Sequence, residues 1–268
     1  MADTLHIWRD ALADLGVMGL VPDPPASPAP RAPEALPPEP LRRAAPPAAT
    51  RTAPPRPAVE PFVPPTDPIG CPPPEALASA EGLEALEACT KGCLACPLGK
   101  GRLRYVFGEG APRAALMFVG EGPGRDEDLQ GRPFVGRAGE LLDKMIAAIG
   151  YSREQVYIAN VVKCRPPDNR TPTPEEARRC LPILRRQIEL VRPKVIVTLG
   201  ATPLRELLGV PTGITRVRGQ WQRLEMLGGL PVMPTFHPAY VLRQYTQDVR
   251  RAVWADLKAA RTWVDAHP

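Results

Sequence analysis

The chain contains no apolar run approaching the ~18 residues that a membrane-spanning helix requires. Its N-terminus carries Asp3 and Asp10 and lacks a basic stretch followed by an apolar core, so it does not resemble a secretory signal. These two absences predict a cytoplasmic protein that meets no membrane. Histidine is scarce: of the three, His6 and His267 lie near the termini and only His237 falls in the body of the chain. Between Pro22 and Pro74 the sole aromatic is Phe62, and a segment so poor in large apolar side chains cannot offset the entropy of ordering itself.

Proline is what that segment has in excess: 21 of the 37 prolines fall within it, among Ala, Glu and Arg. The composition predicts a semi-extended linker over residues 21–80 and a globular part over residues 81–268, a normal size for one α/β domain. Ahead of the linker, Leu5, Trp8, Leu12 and Leu15 recur at helical spacing, with Thr4 as N-cap and Gly16 as stop. Residues 1–20 therefore read either as a docking peptide for a protein partner or as a piece that packs back on its own domain. The net charge of +5 is compatible with a polyanionic partner and decides nothing alone.

Beyond the linker, apolar runs at 114–120, 156–162, 195–199 and 231–236 alternate with helical patterns at 138–149, 174–190, 203–208 and 248–264. Continuously apolar strands separated by helices predict a parallel sheet covered on both faces. Ligands of such folds bind at the carboxyl ends of the strands. Glu121, Asn160 and His237 fall there. The stretch Gly120 to Gly136 also falls there, a strand end that breaks into glycines and acids and presents Phe134 in a glycine and proline frame suited to a flat ligand.

Four of the six cysteines form two pairs: Cys93 with Cys96 in a Cys-x2-Cys loop, and Cys164 at a strand end with Cys180 on the following helix. In a reducing compartment such clustering points to metal before disulfides, and the spacing alone leaves zinc and iron-sulfur both open. Cys71 lies in the linker, and Cys89 is an unassigned extra just ahead of the loop.

The segments Cys93 to Leu98, Val106 to Gly110, Gly120 to Gly124, Gly131 to Gly139, Ala159 to Pro167 and Phe236 to Tyr240, in that order, resemble the family-four uracil-DNA glycosylases over residues 89–262. The resemblance implies a three-layer α/β/α sandwich around a central four-stranded, mainly parallel sheet. It implies a 4Fe-4S cluster on Cys93, Cys96, Cys164 and Cys180, and a monomeric, monofunctional enzyme of the bacterial cytosol or nucleoid. Its substrate would be uracil-containing DNA, single- or double-stranded, from which uracil is removed to leave an abasic site in base excision repair. The alternatives are a glycosylase of broader deaminated-base specificity and a DNA-binding scaffold without turnover; the acid at Glu121 argues against the first, and Glu121, Asn160 and His237 together argue against the second.

In that frame Phe134 stacks on a base flipped out of DNA, and the Gly122 N–H contacts it. Asn160 supplies the acceptor and donor that match the uracil edge and mismatch cytosine. His237 donates to the uracil carbonyl as charge collects there. Glu121, and second to it Glu127, orients water or the oxocarbenium-like sugar, although either could instead be a helix N-terminal acid. Tyr240, Val241, Leu242 and Arg243 form the segment that fills the gap left in the stack. Lys163, Arg165, Arg170, Arg216, Arg218 and the backbone N–H groups of Gly200 and Ala201 contact phosphates.

Overall fold

The computed structural model describes residues 72–210 and 213–267. The expected helix at residues 4–15, most of the expected linker, and Cys71 lie outside the described residues.

The four apolar runs form four parallel strands, and two short strands widen the sheet at its edges. In chain order these are β1 (Glu109–Gly110), β2 (Leu116–Gly120), β3 (Tyr157–Asn160), β4 (Val195–Leu199), β5 (Gln222–Leu224) and β6 (Leu230–Thr235). Their spatial order is β1-β3-β2-β4-β6-β5, with β3, β2, β4 and β6 mutually parallel and β1 and β5 antiparallel at the edges. Every residue of β2, β3 and β4 is buried, which is why these strands read as continuous apolar runs rather than alternating ones.

The helices are α1 (Pro74–Ala78), α2 (Leu83–Thr90), α3 (Leu98–Gly101), α4 (Arg125–Gln130), α5 (Arg137–Ala148), α6 (Pro174–Val191), α7 (Ala201–Leu208), α8 (Ile214–Val217), α9 (Pro238–Arg243) and α10 (Gln247–Ala266). α6 starts on a capping box in which Thr173 Oγ1 accepts from Glu176 N at 3.2 Å and the Glu176 carboxylate accepts from Thr173 N at 2.8 Å. Its buried face, Ala177, Leu181, Leu184, Ile188 and Val191, packs on Met117, Val119, Tyr157 and Ile196 from one side of the sheet. α10 runs along β2, β4 and β6 and buries Val253, Leu257, Ala260 and Val264. Helices thus flank the sheet in three layers.

The boundary at residue 81 falls too late. α1 packs against α6, and Leu77 and Ala80 join Leu86, Phe107 and Ile183 in a small second core. The prolines at 72–74 conceal this from composition, because Pro74 serves as the first residue of a helix whose remainder, Glu-Ala-Leu-Ala, favours helix.

Register fixes what the sheet presents. Gly120 lies beside Asn160 and Leu199 beside Thr235, so the chain leaves β2, β3, β4 and β6 along one edge. Glu121, Asn160, Gly200 and His237 sit on that edge or one or two residues past it.

β1 is held against β3 by the absence of a side chain at Gly110, where φ is +126° and a Cβ would lie 1.8 Å from the Val156 carbonyl oxygen. Gly110→Ala is expected to destabilise the protein by at least about 2 kcal/mol, seen as a lower urea midpoint at unchanged slope. An unchanged midpoint would mean that β1 is free to move off β3.

Candidate active site

A pocket of about 720 Å³ opens at the carboxyl edge of the sheet, and Glu121, Gly122, Phe134, Asn160, Gly200 and His237 all line it. The side chains expected from the sequence to handle a flat ligand therefore converge, although they come from four strand ends and one loop.

Their meeting point is Gly120. A Cβ there would lie 2.4 Å from Asn160 Oδ1 and 2.4 Å from Phe134 Cζ, so the amide and the ring both close over bare backbone. Phe134 is 6% exposed and has a φ of +52°, a region that side-chain-bearing residues rarely adopt. Asn160 is 2% exposed, and its Oδ1 is buried with no hydrogen-bond partner. An orphaned buried acceptor carries a desolvation cost that a ligand donor would relieve. Gly122 lies in the pocket wall, where a Cβ would come within 2.6 Å of Val162 Cγ2.

Lys163, expected at a phosphate, is instead fully buried and reaches no solvent. Its Nζ donates to the Asn160 carbonyl at 2.7 Å and to Gln187 Oε1 at 2.6 Å, while Gln187 Nε2 donates to Phe107 O at 3.0 Å and Tyr157 Oη at 3.1 Å. The sequence places a cation one residue after a strand's apolar run, and only the fold shows that the chain turns inward there.

His237 caps α9: its Nδ1 accepts from Ala239 N at 3.1 Å, which places the ring hydrogen on Nε2. Burial pushes the imidazole down to about 4, the Arg243 charge adding to the effect and Glu127 opposing it. At neutral pH the ring is an uncharged donor. It sits with its centroid 5.7 Å from that of Phe134, rings inclined by 31°, and against Gly200, where φ is +93° and a Cβ would lie 3.3 Å from His237 Cβ.

The two glutamates differ in what holds them. Glu127 Oε2 accepts from Gly124 N at 3.0 Å, and its Oε1 accepts from Val135 N at 2.8 Å and Gly136 N at 3.0 Å. Both oxygens accept from backbone, so Glu127 braces the loop around Phe134 while also lining the pocket. Glu121 Oε2 accepts from Thr202 Oγ1, on the first turn of α7. Thr202 lines the pocket and was not singled out by the sequence, since a threonine in an opening turn carries no signal apart from its neighbours.

The expected DNA-contacting set divides. Arg170 lines the pocket but grips Glu176 through two bonds of 2.8 and 2.7 Å, and Arg165 Nε donates to Asn169 Oδ1 at 2.8 Å. Ala201 and Arg216 are exposed, while Gly200 is buried, its N–H bonded to Thr235 O at 2.9 Å rather than turned outward. Arg218 is drawn inward: it pairs with the buried Asp256, donates to Ala252 O at 2.9 Å and lies over the Phe236 ring, so its charge holds α10 to the sheet rather than facing a phosphate. In the segment after His237, Val241 is 3% exposed and packs into the protein, and Tyr240 packs against Phe236 at 4.8 Å. Leu242 and Arg243 are the exposed pair there. A helical turn that presents one face must bury the other, which explains why Val241 is withdrawn.

Cys93, Cys96, Cys164 and Cys180 line one small cavity with Tyr105 and Arg179, and none of them forms a disulfide. Arg102 Nη1 donates to Cys164 Sγ at 3.3 Å and to Cys93 O, and Arg179 Nη1 ties Ala95 O to α6 at 2.9 Å. Among the described residues no three His, Cys, Asp or Glu side chains close on a single-ion site. Four cysteines lining one cavity supply the thiol set that an iron-sulfur cluster takes. Burial pushes the Cys164 thiol up to about 11 and Cys180 up to about 12, with Arg102 and Lys163 respectively pulling them back.

The chain is similar to known proteins of one superfamily. Residues 107–258 match the model of the uracil DNA glycosylase superfamily. The chain is 50% identical over 185 residues to a type-4 uracil-DNA glycosylase of Thermotoga maritima, covering 69% of this chain and 95% of that protein. It is 45% identical over 183 residues to a type-4 enzyme of Archaeoglobus fulgidus, covering 66% and 91% of the two chains. A type-4 enzyme of Sulfurisphaera tokodaii is 44% identical over 189 residues, covering 68% and 84%.

The His237 geometry makes a prediction about protonation. An unfolded imidazole binds its proton near pH 6.5 whereas the folded one does so near 4, so acid favours the unfolded chain and stability falls as pH drops from 6.5 toward 4. Nitrogen-15 NMR should find His237 neutral at pH 5.5 with its hydrogen on Nε2. Titration near 6.5, or a hydrogen on Nδ1, would contradict this account.

Proposed function

This chain belongs to the uracil-DNA glycosylase superfamily, and from that premise we propose how its pocket takes a flipped uracil and breaks its bond to the sugar. The protein is a uracil-DNA glycosylase of DNA repair, a hydrolase of the N-glycosidic bond. One observation carries the reading of the pocket: the buried, unpartnered Oδ1 of Asn160 beside the Phe134 ring.

A base inside a duplex is out of reach, so the nucleotide is extruded, at a cost of a few kcal/mol, into the pocket. Phe134 stacks on one face of the ring. Asn160 Oδ1 accepts from uracil N3–H while its amide nitrogen donates to O4; cytosine offers the reverse pattern and leaves buried groups unpaired. As the C1′–N1 bond lengthens, its electron pair moves into the base and onto O2. The His237 Nε2–H meets that oxygen, a donor more valuable as charge grows than in the bound substrate.

Glu121 faces the developing positive charge of the sugar. Thr202 fixes one of its oxygens, and the other carries no hydrogen bond from a described residue. That oxygen orients the water that adds to C1′ and receives its proton. Leu242 and Arg243 occupy the gap in the stack, and Arg216 and the exposed start of α7 at Ala201 meet the phosphates.

Cys93, Cys96, Cys164 and Cys180 hold a 4Fe-4S cluster in this reading. Bound there, it would fasten the Cys93–Cys96 loop to the segment that follows β3 and to α6 through metal-sulfur bonds.

Two experiments test these assignments. Asn160→Asp, when protonated, offers an O–H to cytosine N3 and an acceptor to the cytosine amine. It should excise cytosine from an oligonucleotide and lose on the order of 10²–10³ in uracil excision; unchanged selectivity would refute the edge-reading role. Protein purified without oxygen should contain iron and acid-labile sulfide in equal amounts and lose both in Cys164→Ser, whereas stoichiometric zinc without sulfide would overturn the cluster assignment.

A further inference from the structure

We propose that Arg153 is a positioning residue for uracil excision, clamping the strained backbone of Phe134 so that its ring is held in place before the base arrives. The inference rests on the stacking role of Phe134 given above.

A φ of +52° at a phenylalanine persists only where the surroundings over-determine it. Four consecutive residues are pinned here. Arg153 Nη2 donates to Pro133 O and Nη1 to Phe134 O at 3.1 Å; on the other side Glu127 takes the N–H groups of Val135 and Gly136. Gly139 completes the seat, since a Cβ at that position would lie 1.9 Å from Phe134 O.

The clamp is itself anchored. Arg153 Nε donates to Glu109 Oε1 and Nη1 to Asp143 Oδ1 at 2.7 Å, and the Arg153 side chain is 12% exposed. Glu109 also receives Arg132 through bonds of 2.8 and 3.0 Å, from two residues before Phe134. Arg132 is mostly exposed and adds little, but the Arg153 pair is partly buried and multiply bonded. Glu109 belongs to the Val106–Gly110 motif, which contributes no residue to the pocket; its carboxylate in β1 is the fixed point from which Arg153 reaches the loop. A guanidinium is suited to this because its rigid fork serves two carbonyls and two carboxylates at once.

An ordinary ion pair that only stabilised the fold would leave the kinetics of the folded enzyme alone. A clamp acting through Phe134 would not, because displacement of a positioning group by about 1 Å costs on the order of 10²-fold in rate. The full-length, cluster-loaded protein should therefore be tested in single-turnover excision from a uracil-containing single-stranded oligonucleotide, as Arg153→Met, Phe134→Ala and the double variant. Arg153→Met should slow excision by about tenfold or more at saturating enzyme, with binding to the uracil-free oligonucleotide unchanged. Adding Arg153→Met to Phe134→Ala should change the rate by less than about twofold, since the group it acts through is gone. Arg153→Lys, able to serve one carbonyl, should fall between. If Arg153→Met does not fold, Glu109→Gln, which removes the anchoring charge, takes its place and should show the same dependence on Phe134. A wild-type rate in the single variant, or losses that multiply in the double, would overturn the proposal. A wild-type rate in Phe134→Ala would instead sink the stacking reading on which it rests.

Discussion

A side chain at Gly120 would destroy the pocket, because the Phe134 ring and the Asn160 amide occupy the space it would take. The register of β2 and β3 places Asn160 directly beside this glycine, and the loop between α4 and α5 brings Phe134 over it from another direction. Stacking on a base and reading its edge require groups set at an angle to one another yet close to the same atom. Large side chains cannot be packed that tightly around a residue with its own Cβ, so bare backbone at a strand end is the physical solution. Gly200 does the same for His237 at the end of β4.

A second constraint lies beneath the pocket. Lys163 is a buried cation whose hydrogen-bond acceptors are neutral: the Asn160 carbonyl and Gln187. Burial lowers its affinity for a proton to a value of about 8, and the neighbours that pull it back up are the sulfurs of Cys180 and Cys164. An isolated ammonium in such a place is costly, and with the two thiols pushed up to about 11 and 12 only thiolates of a metal-loaded site would give it an anionic partner. The side chain therefore ties the end of β3, which carries the pocket amide, to the sulfur site behind it. Cys164, four residues after Asn160, joins the sulfur site to the segment that carries the pocket amide.

The central strands and main helices were legible because each carries a period long enough to detect: β4 falls at the residues its apolar run marks, and α6 and α10 differ from theirs by one or two residues at the ends. β1 and β5 have two and three residues and no period, and their existence depends on pairing partners far away in the chain. Strand ends also told where Glu121, Asn160 and His237 would gather. What sequence could not tell was the direction a charge faces. Lys163 and Arg218 look like surface cations in any linear reading, and each is turned inward by a partner, Gln187 on α6 or Asp256 on α10, that lies 24 or 38 residues away. Arg153 and Thr202 carry no local signal because their work is done on residues of other elements.

The distribution of charge in the pocket follows from the same partners. Of two acids six residues apart, Glu127 accepts from three backbone amides and is tied to the loop that carries Phe134. Glu121 is held by one hydroxyl, and its other oxygen has no hydrogen bond from a described residue. On the base side, the Ala239 amide occupies Nδ1 of His237 and burial keeps the ring neutral, so the pocket there offers a donor without a full positive charge. A cationic imidazole would attract the nearby carboxylates as well as the substrate and would stabilise the empty site along with the reacting one. In the proposed reading, a neutral donor aimed at the base and a carboxylate aimed at the sugar would instead favour the one state in which the base has become negative and the sugar positive, which is the transition state of glycosidic cleavage.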